Sequence, residues 1–303
     1  MEPQETNLLM SLSNSMVAAV EKASASTVMV NARRGIPSSG VCYTADLVLT
    51  ADHSIERDDD IKVTLPDGSE IKASLAGRDE NSDLAILRLE RPVGVPAERA
   101  PKDSQVGQFV LAIGRPTPEG VQASLGVVSS VGGPVRTRRG GLLNRYLQTD
   151  AIPYPGFSGG PLVNAEGQIV GINTSGLTPG ASLAIPSSTA WETAASLGKF
   201  GRIRRGYLGI RSQPAELSSN LQSQIGRSQA NGLLLVGIEN NSPASNAGLI
   251  VGDILVSIAG VPVEEHDQLL SYLAGDVIGK PVSVDILRGG QRQSVTLTVG
   301  EQK

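Results

Sequence analysis

Between residues 7 and 21 the apolar positions Leu8, Leu9, Leu12, Met16, Val17 and Val20 return at helical spacing, which predicts a short amphipathic helix. Its apolar face has two uses on an equal footing, packing on its own domain or joining subunits. The period then changes. Short apolar runs at 27–30, 40–43, 47–50, 61–65, 71–75 and 84–89, punctuated by turns such as Pro66-Asp67-Gly68, follow the hairpin pattern of a β barrel. A second series at 109–113, 122–131, 146–148, 161–163, 169–173 and 182–185 repeats it, so two consecutive barrels are expected. Beyond residue 206 the pattern alters again. Ser242-Pro243-Ala244 reads as a capping serine followed by proline at the first helical position, and Gly248 closes that short helix. A strand at 253–258, a second helix at 265–274 and an alternating strand at 294–299 complete a smaller α+β unit.

Composition narrows the class without changing this outline. The 303 residues suffice for about two domains with cores of their own. The 35 glycines exceed the average share of about 7% and favour a turn-rich, mainly β chain. A net charge of −4 gives no basic footprint for nucleic acid. The one cysteine, Cys42, permits no internal disulfide and lies in an apolar, strand-like run, which marks it as a core residue. No run of about 18 apolar residues is present to span a membrane. The first five residues are acidic where a signal peptide would be basic, so the chain as written is expected in the cytoplasm, or in the periplasm or another compartment if a leader was removed.

Candidate chemistry gathers on three short strings. His53, one of only two histidines, stands where the run 48–51 ends and a polar loop begins. Asp83 lies at the mouth of the run 84–89, and Ser158 sits between glycines in Tyr154-Pro155-Gly156-Phe157-Ser158-Gly159-Gly160-Pro161. Each string alone has an ordinary explanation, a surface histidine, a turn aspartate and a glycine turn. Together they stand in the chain order His, Asp, Ser, each at a strand end or loop of the two-barrel pattern.

Thr50-Ala51-Asp52-His53, Ser82-Asp83-Leu84-Ala85 and Gly156-Phe157-Ser158-Gly159-Gly160-Pro161 resemble the signature blocks of trypsin-like serine proteases. Gln148-Thr149-Asp150-Ala151, Gly171-Ile172-Asn173-Thr174 and Ala184-Ile185-Pro186-Ser187 are similar more narrowly to the HtrA/DegP family. The resemblance runs from about residue 27 to the C-terminus and implies a chymotrypsin-like double β-barrel followed by a PDZ domain. The expected divisions are a helical segment at 1–26, a protease domain at 27–198, a linker at 199–206 bearing exposed Arg202, Arg204 and Arg205, and a PDZ domain at 207–303.

The resemblance further implies an ATP-independent serine endopeptidase of protein quality control and stress response, cleaving unfolded or misfolded proteins without a metal or organic cofactor. Ser158 is its expected nucleophile, His53 the base, Asp83 the orienting acid, and the Gly156 and Ser158 N–H groups the oxyanion hole. Ile152, six residues before Ser158, is the expected floor of the specificity pocket, and with no acid there cleavage after Lys or Arg is disfavoured in favour of small or medium aliphatic residues. Thr174, Ser175 and Gly176 are the edge along which an extended substrate would pair. In the PDZ domain the N–H groups of Leu208, Gly209 and Ile210, within Tyr207-Leu208-Gly209-Ile210, would capture a peptide C-terminus. His266, on the groove helix, is expected to be exposed and without function.

The loop from Arg136 to Gly141 reads as a solvated basic loop, with regulation of the oxyanion region as the alternative, and the acids at 56–60 read as a soluble loop rather than a metal site. Phe157 departs from the family pattern, which has Asn there. It motivates a competing reading, a catalytically idle scaffold that binds peptides or acts as a chaperone. Family members are commonly trimers, which makes a homotrimer the expected assembly, although the N-terminal helix is not diagnostic of it.

Overall fold

Strands form where the sequence alternates β-branched and apolar residues between turns, and the hydrogen-bonded ladders then close on themselves. The structure, a computed structural model, describes residues 7–136, 142–176, 182–204, 206–273 and 277–301. It divides into two compact units, Met1–Ile203 and Arg204–Lys303.

The first unit opens with helix α1 (Leu8–Ser24), whose N-terminus is capped by the Asn7 side chain accepting from the Met10 N–H. Strands β1 (Thr27–Asn31), β2 (Ser38–Cys42), β3 (Leu47–Ala51), β4 (Ile61–Thr64), β5 (Glu70–Asp79) and β6 (Leu84–Leu89) form a closed barrel in the order β1-β2-β3-β6-β5-β4. Its interior is filled by Val28, Val30, Val48, Ile61, Val63 and Leu87 among others. Cys42 is part of this core, and burial pushes its thiol up to about 11, which keeps it unreactive.

The second barrel takes β7 (Phe109–Thr117), β8 (Gly120–Gly132) and, after the two-residue strands β9 (Val135–Arg136) and β10 (Leu142–Leu143), strands β11 (Tyr146–Thr149), β12 (Pro161–Val163), β13 (Ile169–Thr174) and β14 (Leu183–Pro186). It closes in the order β11-β14-β13-β12-β7-β8. Residues 137–141 of the basic loop lie outside the described residues.

Helix α2 (Ser187–Phe200) follows and was not anticipated by the apolar pattern. Its Ala190, Ala194 and Leu197 are fully buried in a core shared by both barrels and by Ala19 and Ala23 of α1. The helix therefore occupies the first two positions of the expected linker. Arg204 ion-pairs with Glu301, which corrects its reading as a simply exposed residue, and Arg205 lies outside the described residues. Helix α1 packs through Ala19, Ala23, Met16 and Val20, whereas Leu8, Leu9, Met10, Leu12 and Val17 are exposed. Both uses foreseen for this helix thus have residues available to them.

In the second unit, β15 (Gly206–Tyr207), β16 (Ile210–Glu216), α3 (Ser219–Ile225), β17 (Asn231–Ile238), α4 (Pro243–Asn246), β18 (Ile254–Ile258), β19 (Val261–Pro262), α5 (His266–Leu273), β20 (Pro281–Arg288), β21 (Gln291–Thr298) and β22 (Gly300–Glu301) follow in turn. The sheet order is β16-β17-β18-β20-β21, with β19 on β18, while β15 pairs with β22. Leu233, Leu235, Leu255, Ile258, Val284 and Ile286 of the sheet bury against Leu269 and Leu273 of α5. That leaves β16 as an edge strand.

Candidate active site

Pairing of β3 with β6 sets Ala51 opposite Leu84, so the chain just past β3 meets the chain just before β6. His53 stands on a single 3-10 turn there (Asp52–Ser54), and the Asp52 N–H donates to the Asp83 carbonyl at 3.0 Å. Asp83 adopts φ +58°, a left-handed conformation that aspartate tolerates better than branched residues. The turn aims its carboxylate back at the histidine.

Asp83 Oδ2 and Oδ1 lie 2.7 and 3.0 Å from His53 Nδ1, and Oδ1 also accepts from the His53 backbone N–H at 2.8 Å. Because a carboxylate only accepts, the proton of the neutral ring resides on Nδ1 and leaves Nε2 as a base. Thr174, at the end of β13, donates its hydroxyl to Asp83 Oδ2, and the Gly176 N–H donates to the Thr174 hydroxyl at 3.0 Å. The buried Asp83 is thereby saturated with donors. Gly176 presses against the pair, since a Cβ there would stand 2.6 Å from Asp83 Oδ2 and 2.7 Å from His53 Nδ1.

Ser158 occupies the turn before β12. Its hydroxyl lies 3.1 Å from Ser175 Oγ, which in turn lies 3.4 Å from His53 Nε2. Ser175, expected as part of the substrate edge, therefore stands between Ser158 and His53 in this state. No sequence motif signalled that position, because a serine after Thr174 looks like any polar strand end. Around Ser158, the Phe157 N–H donates to the Tyr154 carbonyl at 3.0 Å and the Gly160 N–H to the Phe157 carbonyl at 2.9 Å. Among the described residues, the Gly156 and Ser158 N–H groups donate to no protein acceptor. Two adjacent open donors beside a serine hydroxyl can bind an oxyanion.

Phe157 is fully buried, its ring against Gly114 and edge-on to Tyr154 at 5.5 Å. It anchors the turn in the second barrel's core. Ile152 is 58% exposed and its N–H donates to Ser124 Oγ at 2.9 Å, so the described residues do not enclose it as a pocket floor. Residues 177–181, next to the substrate edge, lie outside the described residues.

A family profile described as a trypsin-like peptidase domain matches residues 38–172, and one described as a PDZ domain matches residues 206–299. The HtrA-type protease AlgW, solved with a tripeptide, is 30% identical, with a TM-score of 0.75 over 95% of this chain and 97% of that one. The chain belongs to the HtrA family of serine proteases. The HtrA-type protease AlgW, solved with a decapeptide, is 27% identical with a TM-score of 0.75 over 95% of this chain and 99% of that one. Among curated relatives, a probable periplasmic serine protease do/HhoA-like from Haemophilus influenzae is 37% identical over 87% of this chain, and a probable periplasmic serine endoprotease DegP-like from Halomonas elongata is 33% identical over 89%. The chain spans 58% and 57% of those two relatives' own lengths.

These HtrA relatives are named periplasmic, so the cytoplasmic expectation gains no support from them. Among the described residues, no helix is long and apolar enough to cross a membrane. In the PDZ unit of this HtrA chain, Leu208 is buried and its carbonyl accepts from the Ala244 N–H at 2.9 Å. Gly209 takes φ +77° directly against Ser242, where a Cβ would come within 2.1 Å of the serine Cβ. Tyr207 donates its hydroxyl to Glu239, and Ile210 begins the edge strand β16. The exposed reading of His266 is corrected. Its Nε2 lies 2.9 Å from both the hydroxyl and the carbonyl oxygen of Ser212 on β16.

Proposed function

We propose that this chain is an ATP-independent serine endopeptidase that cleaves unfolded or misfolded proteins, and that its PDZ unit recruits or senses peptide C-termini. The observation that carries the reading is the His53–Asp83–Thr174 hydrogen-bonded set beside a serine turn with two open N–H donors. Substrate pairs as an added strand along Thr174, Ser175 and Gly176. Ser158 Oγ turns from Ser175 to His53 Nε2 and attacks the scissile carbonyl as Nε2 takes its proton. The Gly156 and Ser158 N–H groups hold the oxyanion.

As the tetrahedral intermediate collapses, the C–N bond breaks and His53 returns the proton to the leaving amine. Water then repeats the sequence on the acyl-enzyme and restores Ser158. Asp83 keeps the ring oriented and offsets its charge throughout. The peptide-bound AlgW structures support peptide recognition, and the relatives' names support a periplasmic setting. A homotrimer joined through the exposed face of α1 is the assembly proposed.

The idle-scaffold reading is not favoured, because Phe157 is packed in the core while the donors beside it stay open. Digestion of unfolded casein tests the choice. The wild type should degrade it and Ser158→Ala should not, while equal digestion by both, or by neither, contradicts the proposal.

A further inference from the structure

Ser39 lies on β2 of the first barrel, 117 residues from Gly156, and is wholly buried. All of its polar groups are engaged with the nucleophile turn or with what supports it. Its hydroxyl donates to the Gly156 carbonyl at 2.7 Å and accepts from the Arg115 N–H at 2.8 Å. Its N–H donates to the Ser158 carbonyl at 3.0 Å. Its own carbonyl accepts from the Thr50 hydroxyl at 2.7 Å, and Thr50 belongs to β3, the strand that leads into His53.

The consequence follows from the order of peptide units. The unit joining Gly156 to Phe157 lies between the two open donors, the Gly156 N–H before it and the Ser158 N–H after it. One edge of that unit is held by Tyr154 through the Phe157 N–H, and the other by Ser39 through the Gly156 carbonyl. Without the Ser39 hydroxyl the carbonyl edge loses its buried donor, and at Gly156, with φ +89°, no Cβ restrains rotation of the unit. The unit after Ser158 is held the same way, by the Ser39 N–H on its carbonyl and by the Asn173 carbonyl on the Gly159 N–H at 2.9 Å. Gly159 must also be glycine for this approach, since a Cβ would stand 2.2 Å from the Ser39 carbonyl oxygen.

We propose that Ser39 is a positioning residue of the oxyanion hole, through which the first barrel sets the direction of the two donors carried by the second. The inference rests on Ser158 being the nucleophile. Ser39 touches neither substrate nor reacting atoms, so its loss should slow the chemical step and leave ground-state binding nearly intact.

The test uses the full chain, with Ser39→Ala and the near-isosteric Ser39→Cys, whose thiol is a weak donor. Four readouts are taken: kcat and KM on a peptide amide, the inhibition constant of a peptidyl aldehyde, the rate of fluorophosphonate labelling, and thermal unfolding. In Ser39→Ala, kcat should fall about 100-fold, the range seen when one oxyanion donor is lost, with KM within about threefold. Aldehyde affinity should fall with kcat, because its Ser158 adduct places an oxyanion in the hole. Ser39→Cys should lie between Ala and wild type. If Ser39→Ala fails to fold, a Ser39→Cys variant with wild-type melting and wild-type kcat overturns the proposal by itself. A loss expressed in KM, or one that merely tracks the unfolded fraction, overturns it too. A wild type that takes no label overturns the nucleophile reading and Ser39 with it, whereas a labelled wild type with an unchanged Ser39→Ala rate overturns Ser39 alone.

Discussion

Phe157 occupies the position immediately before Ser158, and its whole side chain is removed from water. Burying a phenylalanine contributes about 1.5–3 kcal/mol, so the residue holds the turn down by its own packing rather than by a polar contact. Phe157→Ala should destabilise the first unit by about 3–5 kcal/mol in urea unfolding. A loss under about 1 kcal/mol would show that the ring is not an anchor. Gly176 offers a test of a different kind, because its missing Cβ gives His53 and Asp83 their space. Gly176→Ala should lower kcat by at least tenfold with a smaller change in melting temperature, as misplacement of catalytic groups by about 1 Å can cost 100-fold. Unchanged turnover would mean that the pair relaxes without penalty. His53, Asp83 and Ser158 could be picked out in the chain as candidates because each sits in a short local string. The burial of Phe157 was not, because its partner Gly114 lies on another strand and nothing local marks the pairing. The bonds of Ser39 were hidden for the same reason.

Among the elements, the strands were legible from alternation and turns, while α2 was not. Its buried face is Ala190, Ala194 and Leu197, and two alanines give a faint apolar signal among Ser and Thr residues. The polar α3 was missed similarly. In α1 the helical period was visible, but it did not tell which part of the apolar face is buried: Met16, Ala19, Val20 and Ala23 pack, and Leu8, Leu9 and Leu12 stay exposed. Replacing Leu8, Leu9 and Leu12 together by serine should weaken self-association in light scattering while leaving the melting of the first unit nearly unchanged. An unaltered assembly would remove α1 from the proposed interface.

On the β20–β21 hairpin, burial raises Asp285, but hydrogen bonds from Ser294, Ser257 and Arg292 outweigh it and hold the carboxyl below its ordinary value. A carboxyl lowered in the folded state stabilises above the unfolded value of about 3.9 and loses that contribution as pH falls through the folded value. The melting of the second unit should therefore drop in acid below about pH 4, and Asp285→Asn should flatten that drop. An identical acid slope in the variant would assign the effect to other groups.

In the molecule as a whole, a double-barrel unit with a hydrogen-bonded His53–Asp83 pair is followed along the chain by a sheet unit whose β16 edge is available for strand addition apart from the His266 contact at Ser212. Everything proposed about proteolysis depends on Ser158 being reactive because of its surroundings rather than merely accessible. The most direct measurement is peptide mapping by mass spectrometry after treatment of the full chain with a fluorophosphonate. The account predicts a single adduct on Ser158, absent from Ser158→Ala and strongly reduced in His53→Ala. An adduct on another residue, or equal labelling of Ser158 without His53, would contradict it.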